Sequence, residues 1–138
     1  MSSTQLSSIV VLDTNVVSYI FKRDTRGDLY KPHIEGKLQL IAAQTFAELE
    51  VWPLRHNWGI NRQMALRTLL DKLVFVEANK EIALLWAKVQ AQAKQTGHSI
   101  TVGDSWIAAT ALAYGAPLIT HNRKDFEHIS GLTIFSES

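Results

Sequence analysis

Four acidic residues occupy positions from which their carboxylates could act together in one chemical site. Asp13 directly follows an apolar run, and Glu48 lies about one turn into a segment with helical spacing. Asp104 begins another helical segment, and Asp125 follows the fourth apolar run by five residues. Successive acids are 35, 56 and 21 residues apart, so only the folded chain can bring them together.

Carboxylates that share one cleft repel each other and raise each other's pKa unless a cation neutralises them. The chain contains no cysteine, and its five histidines show no helical ligand spacing. Oxygen ligands of this kind suit Mg²⁺ or Mn²⁺ better than zinc. Such an ion generates a nucleophilic water and offsets the charge on a transferring phosphoryl group. The chemistry that this set supports best is therefore metal-dependent hydrolysis of phosphodiester bonds.

Each acid taken alone also has a structural explanation. Asp13 and Asp104 could cap helices by accepting backbone N–H bonds, each contributing about 1 kcal/mol. Asp125 could lie in a solvated turn, and Glu48 on a solvated helix face. A phosphatase with Asp13 as its nucleophile is a second enzymatic interpretation, but Asn15 stands where that chemistry usually places a second acid. The joint occurrence of four acids favours the metal site.

The elements that must position these acids alternate along the whole chain. Strand-sized apolar runs occur at 9–12, 38–42, 73–76, 117–120 and 132–135. Helical patterns occur at 16–21, 44–52, 61–72, 81–96 and 104–114. The charged segment 23–32 is predicted as a loop. Pro53 is expected to kink or end the helix in which it lies. This alternation predicts an α/β layer fold with a parallel sheet. Ligands of such sheets gather at the carboxyl ends of the strands, which is where the four acids fall.

Composition limits the classes of protein to which the chain could belong. Its 138 residues, 46% of them apolar, are typical of one compact folded domain and not of a disordered chain. The absence of cysteine excludes a disulfide scaffold, a thiolate zinc site and a cysteine nucleophile. No apolar run reaches the roughly 18 residues of a membrane span, and the N-terminus lacks the features of a secretion signal. We therefore expect a cytoplasmic protein. The net charge of +1 does not by itself indicate a class of partner.

Each of the four acids lies within a short block of characteristic sequence. The blocks are Val10–Asn15, Thr45–Leu49, Gly103–Leu112 and Leu118–Phe126. In this order and at these spacings, they resemble the PIN-domain ribonucleases, in particular the VapC-type toxins of bacterial VapBC toxin–antitoxin modules. The resemblance spans nearly the whole chain, and the only departure is the acid, Trp and Pro that follow Glu48, where relatives often have a small residue.

The resemblance implies a fold, an activity and partners. The fold would be a three-layer α/β/α sandwich around a central parallel sheet of four or five strands, with residues 1–138 forming a single PIN domain. The activity would be that of a Mg²⁺- or Mn²⁺-dependent endoribonuclease acting on an RNA substrate. A small cognate antitoxin would inhibit it, and the chain would pair as a homodimer. A catalytically silent PIN module that binds RNA or protein is the alternative, and the complete set of four acids argues against it.

Roles carried over from the family can be given to each acid. Asp13 and Asp104 would be the surest direct metal ligands. Glu48 would complete the site directly or through water, and Asp125 would assist through water or bind a second ion.

Polar neighbours of the acids could orient them by hydrogen bonds, as metal sites require. These candidates are Thr14, Asn15, Thr120 and Asn122. Asn15 could instead cap the first helix, and Asn122 could form an Asx-turn.

Two short segments concentrate basic residues. Lys22, Arg23 and Arg26 follow the first predicted helix, and Arg55, Arg62 and Arg67 follow the glutamate-bearing one. Solvated helix faces explain such residues by default. If a cluster of them reached the rim of the cleft, phosphate contacts would supply affinity but little sequence choice.

Overall fold

Five parallel strands form the centre of the computed structural model, which describes residues 8–138. The strands are β1 (Ile9–Leu12), β2 (Leu38–Ala42), β3 (Val74–Val76), β4 (Leu118–Ile119) and β5 (Ile134–Phe135). They pair in the order β3-β2-β1-β4-β5, so that β1 lies in the middle. All four pairings are parallel, which aligns the carboxyl ends of the strands at one edge.

Helices cover both faces of this sheet. The longer ones are α1 (Thr14–Phe21), α4 (Ala43–His56), α5 (Ile60–Asp71), α6 (Lys80–Gln95) and α7 (Val102–Tyr114), and the short ones are α2 (Thr25–Asp28), α3 (Lys31–Ile34) and α8 (Arg123–Phe126). One core contains side chains of α1, α4 and α5, and the other those of α6 and α7. The predicted three-layer α/β/α sandwich with a parallel sheet is therefore confirmed. No helix within residues 8–138 is long and apolar enough to cross a bilayer.

The apolar run of β1 supplies both cores at once. Val10 and Leu12 pack into the core beneath α1, whereas Val11 packs into the opposite one. Successive side chains of a strand point to opposite faces, so a central strand with helices on both sides must be apolar at every position. This explains why Ile9–Leu12 shows no alternation of polar and apolar residues.

The predicted loop at 23–32 is wrong, because α2 lies within this segment and α3 begins at its end. The Asp24 side chain caps α2 by accepting a hydrogen bond from the Arg26 N–H at 2.9 Å. Pro32 lies in the first turn of α3, where its missing N–H would have no partner within the helix. Both features are short-range, and neither produces a long apolar pattern.

Of the kink or end expected at Pro53, the end is wrong, because α4 continues through it to His56. The helix ends only at Asn57, which has a positive φ of 49°. Proline removes one hydrogen bond and crowds the carbonyl four residues earlier, here that of Leu49. Leu49 is fully buried, so the packing of α4 outweighs this local penalty.

Candidate active site

Asp13 lies at the carboxyl end of β1 and caps α1. Its Oδ1 accepts a hydrogen bond from the Thr14 N–H at 2.7 Å. Its Oδ2 accepts one from the Thr120 hydroxyl, also at 2.7 Å, just beyond β4. Only 5% of the residue is exposed. Asp13 is therefore held by groups that follow two neighbouring strands. It both caps α1 and lies at the carboxyl end of β1, so the two predictions made for it are compatible.

Glu48 is brought to Asp13 through Thr14. The Thr14 hydroxyl donates to Glu48 Oε1 at 2.8 Å, which ties α1 to α4. The hydroxyl of the buried Thr45 lies 3.1 Å from that of Thr14. Sequence patterns did not single out Thr45 as a supporting residue, although its position three residues before Glu48 places both on one helix side.

Asp104 and Asp125 line a second part of the same edge. A cavity of about 350 Å³ opens between them, bounded by Ser99, Ile100 and Thr101. Thr101 caps α7 by accepting the Asp104 N–H at 3.0 Å. The alternative in which Asp104 itself caps the helix is therefore wrong. Its carboxylate lines the cavity, where a hydrogen bond with the Thr101 side chain lowers its pKa against the effect of burial.

Electrostatic coupling shows that the four acids share one region. Burial is the main effect that raises the pKa of Asp13 to about 7, and the charges of Asp104 and Glu48 raise it further. Hydrogen bonds from Thr120 and Thr14 lower the pKa but do not cancel this rise. Burial also raises the pKa of Asp104, with further contributions from Asp125 and Glu48. Asp104 thus interacts with each of the other three carboxylates, and the structure brings together all four acids that the sequence singled out.

The polar neighbours divide into those that contact an acid and those that order the loop beside it. Thr14 and Thr120 hydrogen-bond to Glu48 and Asp13, as described above. Asn15 does not cap α1, because its side-chain oxygen accepts the His121 N–H at 3.3 Å. The Asn122 N–H donates to the Thr120 hydroxyl oxygen at 3.0 Å, which stabilises the turn after β4.

Tyr30 is a supporting residue that sequence reasoning missed. Its fully buried hydroxyl lies 3.2 Å from the Thr120 carbonyl oxygen and also contacts His121 Nδ1. The same hydroxyl oxygen accepts the Glu137 N–H at 2.9 Å. Tyr30 therefore joins the C-terminal residues to the loop that holds Asp13. No signal in the sequence indicates these contacts, which span about 90 residues or more.

The carboxylates fit a hard divalent ion in donor chemistry and charge. Among residues 8–138, no group of three or more acidic or histidine side chains is arranged to hold a metal ion by itself. Mg²⁺ usually keeps several of its waters and is bound by one or two carboxylates together with substrate phosphates. A ready-made protein cage is therefore not required. Burial is the main cause of the raised pKa of Asp13 and Asp104, and the charges of the neighbouring acids add to it. A bound cation would favour the ionised form against both effects.

Comparison with solved structures supports the fold at high similarity. The structure of VapBC-1 from nontypeable Haemophilus influenzae matches with a TM-score of 0.79 and 28% identity, covering 93% of this chain and 97% of that one. VapBC2 from Rickettsia felis, bound to a DNA fragment from its promoter, matches with a TM-score of 0.83. It covers 94% of this chain and 99% of that one at 23% identity, which shows the fold alone.

Sequence comparison gives the family. Ribonuclease VapC1 from H. influenzae strain R2866 is 29% identical over 126 residues, which cover 90% of this chain and 94% of the relative. The family model described as PIN domain matches residues 10–132, a range that contains all four acids and most of both cores. The chain therefore belongs to the PIN domain family, and the relatives it matches are VapC proteins.

Proposed function

We propose that this protein is a Mg²⁺- or Mn²⁺-dependent endoribonuclease and the toxin of a toxin–antitoxin module. The observation that carries the proposal is the buried Asp13 carboxylate, coupled electrostatically to Asp104 and Glu48 at the carboxyl edge of the sheet. A buried carboxylate surrounded by other carboxylates destabilises a fold, so a binding role explains why the chain tolerates it. The ribonuclease name of the VapC1 relative supports the reaction class.

Asp13 and Asp104 would hold the ion, with Glu48 beside them and Asp125 across the cavity. When bound, Mg²⁺ or Mn²⁺ supplies positive charge for the phosphodiester group and lowers the pKa of a bound water. The Thr14 N–H and the Thr120 hydroxyl fix the orientation of Asp13 by holding one oxygen each. These two bonds also favour the ionised form of Asp13, which is the form a cation requires.

Glu48 and Asp125 are the two exposed acids of the set. Thr14 occupies Oε1 of Glu48, which leaves Oε2 available to accept a hydrogen bond from the attacking water. Asp125 lies at the rim of the cavity, where the substrate would enter. We assign Glu48 to orienting the water and Asp125 to the rim of the metal site.

The test is cleavage of a labelled single-stranded RNA by the purified protein. We expect cleavage in Mg²⁺ or Mn²⁺, reversible loss in EDTA, and loss by about 10²-fold or more in Asp13→Asn. Thermal melting checks that the variant is folded. Full activity in EDTA, or wild-type activity in folded Asp13→Asn, contradicts the proposal. Binding of RNA without cleavage under all conditions would instead support a silent PIN module.

The partners are also proposed. The VapBC structures that match this fold support an antitoxin partner for the chain. We propose that this partner is small and blocks the cleft. Co-expression with the adjacent reading frame, followed by co-purification, tests this. The homodimer stays a prediction, which light scattering of the purified chain measures.

A further inference from the structure

The structure brings together basic residues from two segments that are distant in the sequence. Lys22 and Arg23 follow α1, and Arg62 lies in the first turn of α5. All three line an open cavity of about 440 Å³, whose floor includes Phe21 and Leu69. No acidic side chain lines this cavity. We call these three residues the basic patch.

No ion pair within residues 8–138 neutralises the cations of the basic patch, although the charge of Lys22 helps to lower the pKa of the nearby Asp24. Neighbouring arginines are paired: Arg26 bonds to Asp24 at 2.7 Å, and Arg67 to Glu50 at 2.8 Å. Like charges left together without counter-ions repel each other, so their clustering is unfavourable unless an anion binds there.

Arg23 occupies a backbone position that normally favours glycine. Its φ is +56°, and its N–H donates to the Ile20 carbonyl while that of Asp24 donates to the Tyr19 carbonyl. This pair of bonds is the Schellman motif, in which the left-handed residue is usually glycine. An L-residue there is strained, because its Cβ lies too close to the following carbonyl oxygen. Folding alone therefore favours glycine over arginine at this position.

Aromatic rings hold the other two cations in place. The Lys22 ammonium lies 5.1 Å from the Trp52 ring centre, and the Arg62 guanidinium lies 4.1 Å from that of Trp58. Phe21 stacks on Trp58 at 5.6 Å. Contacts of this type orient a cation without neutralising its charge. The basic patch is thus partly ordered before any anion binds.

Two helices connect the basic patch to the acids. Trp52 lies one turn beyond Glu48 on α4, and α1 runs from Thr14, which bonds to Glu48, to the residue before Lys22. Eight helical residues span about 12 Å, which is the reach of a few nucleotides of a single strand. We propose that the basic patch binds backbone phosphates of the RNA strand whose scissile bond lies at the four acids. This rests on the proposed ribonuclease function.

The experiment compares Arg23→Gly with Arg23→Lys and with Lys88→Gln, which removes one charge on α6 in the opposite layer. The probe is a labelled oligouridylate of about 12 nucleotides, bound in EDTA so that it stays intact. We expect Arg23→Gly to bind several-fold more weakly and to lower the slope of log Kd against log salt by about 0.7. Its melting temperature should equal or exceed that of the wild type. Arg23→Lys and Lys88→Gln should keep the wild-type slope.

Several results would overturn the proposal. The first is RNA binding at the wild-type level by both Arg23→Gly and Arg62→Gln, and the second is an equal loss of binding in Arg23→Lys and Arg23→Gly. The third is a large fall in the melting temperature of Arg23→Gly. The fourth is a wild-type protein that does not bind RNA. Loss of antitoxin binding with unchanged RNA binding would make the basic patch a protein-docking site instead.

The two proposals fail in different ways. If the wild type binds RNA through the basic patch but never cleaves it in Mg²⁺, the ribonuclease function fails and the phosphate site stands. If the wild type cleaves RNA and Arg23→Gly and Arg62→Gln bind and cleave it equally well, the phosphate site fails and the ribonuclease function stands.

Discussion

Asp13 meets two opposing demands at the level of a single residue. Burial and nearby carboxylates favour its neutral form, whereas the Thr14 N–H and the Thr120 hydroxyl favour its ionised form. The first effect is the larger, because the pKa rises from 3.8 to about 7. A residue balanced in this way costs the metal-free protein stability near neutral pH, and a bound cation would offset that cost.

The first prediction concerns the pH dependence that Asp13 contributes. Because its folded pKa lies above its unfolded one, Asp13 destabilises the fold as pH rises from about 4 towards 7, and the penalty is complete above about 7. The amide of Asp13→Asn does not titrate, and it keeps an oxygen for the Thr14 N–H. In EDTA we therefore expect Asp13→Asn to melt several degrees above the wild type at pH 8. Near pH 4 this difference should nearly vanish.

Paired melts of the two proteins across this pH range isolate the Asp13 contribution, because the other groups titrate in both. Asp24 is a useful comparison, since its partner Arg26 lowers its pKa to about 2 and leaves it ionised throughout the range. Asp24→Asn should show a nearly constant difference from the wild type above about pH 5, where the Asp24 carboxyl is ionised in the unfolded chain as well. A pH-independent difference for Asp13→Asn would mean that its carboxylate titrates normally.

At the level of elements, α1 and α2 approach closely at Gly27. A Cβ built there would lie 3.1 Å from the Ile20 backbone nitrogen and 3.1 Å from the Tyr19 carbonyl carbon. These atoms belong to the α1 backbone and cannot rotate away as a side chain could. Since α1 begins at the Asp13 cap, its position matters for the site.

The second prediction is that Gly27→Ala forces α1 and α2 apart. We expect a loss of about 1–3 kcal/mol in the free energy of unfolding, as for other overpacked contacts. Gly59→Ala is the matched control, because its φ is ordinary and no atom lies within 4 Å of the new Cβ. Urea titration of both variants gives the measurement. Equal stabilities would show that the two helices can separate at no cost.

The elements also show which parts of the fold a sequence can reveal. Runs such as Ile9–Leu12 can be identified because burial on both faces requires continuous apolar residues. The course of α4 through Pro53 cannot, because buried Leu49 outweighs a local rule. The four acids could be placed from strand ends and helix starts alone. The contacts of Thr45 and Tyr30 could not, since they join segments with no pattern in common. The residues of the basic patch stand out in the sequence, but their convergence in one cavity does not.

At the level of the whole molecule, metal binding and folding should be coupled. An ion that binds only the folded state stabilises it by about 2.7 kcal/mol at a hundredfold excess over its Kd. The third prediction is a rise of several degrees in melting temperature in saturating Mn²⁺ at pH 7.5 and matched ionic strength. Asp104 interacts with all three other acids, so Asp104→Asn should lose most of this rise.

Lys88→Gln serves as the control here too, because it changes charge without touching the acids. It should show the full wild-type shift. Equal shifts in the wild type and in Asp104→Asn would place the ion elsewhere, and the four-acid site would have to be abandoned.

The position of β1 between β2 and β4 determines when the site can first exist during protein synthesis. Asp13 and the hydroxyl that holds it are 107 residues apart, an interval that a ribosome needs about 5 to 20 s to translate. Until then the nascent chain has Asp13 at the end of a strand that lacks one neighbour, and such distant parallel pairings form slowly. Translation itself therefore delays the completion of the four-acid site until Thr120 has been added to the chain.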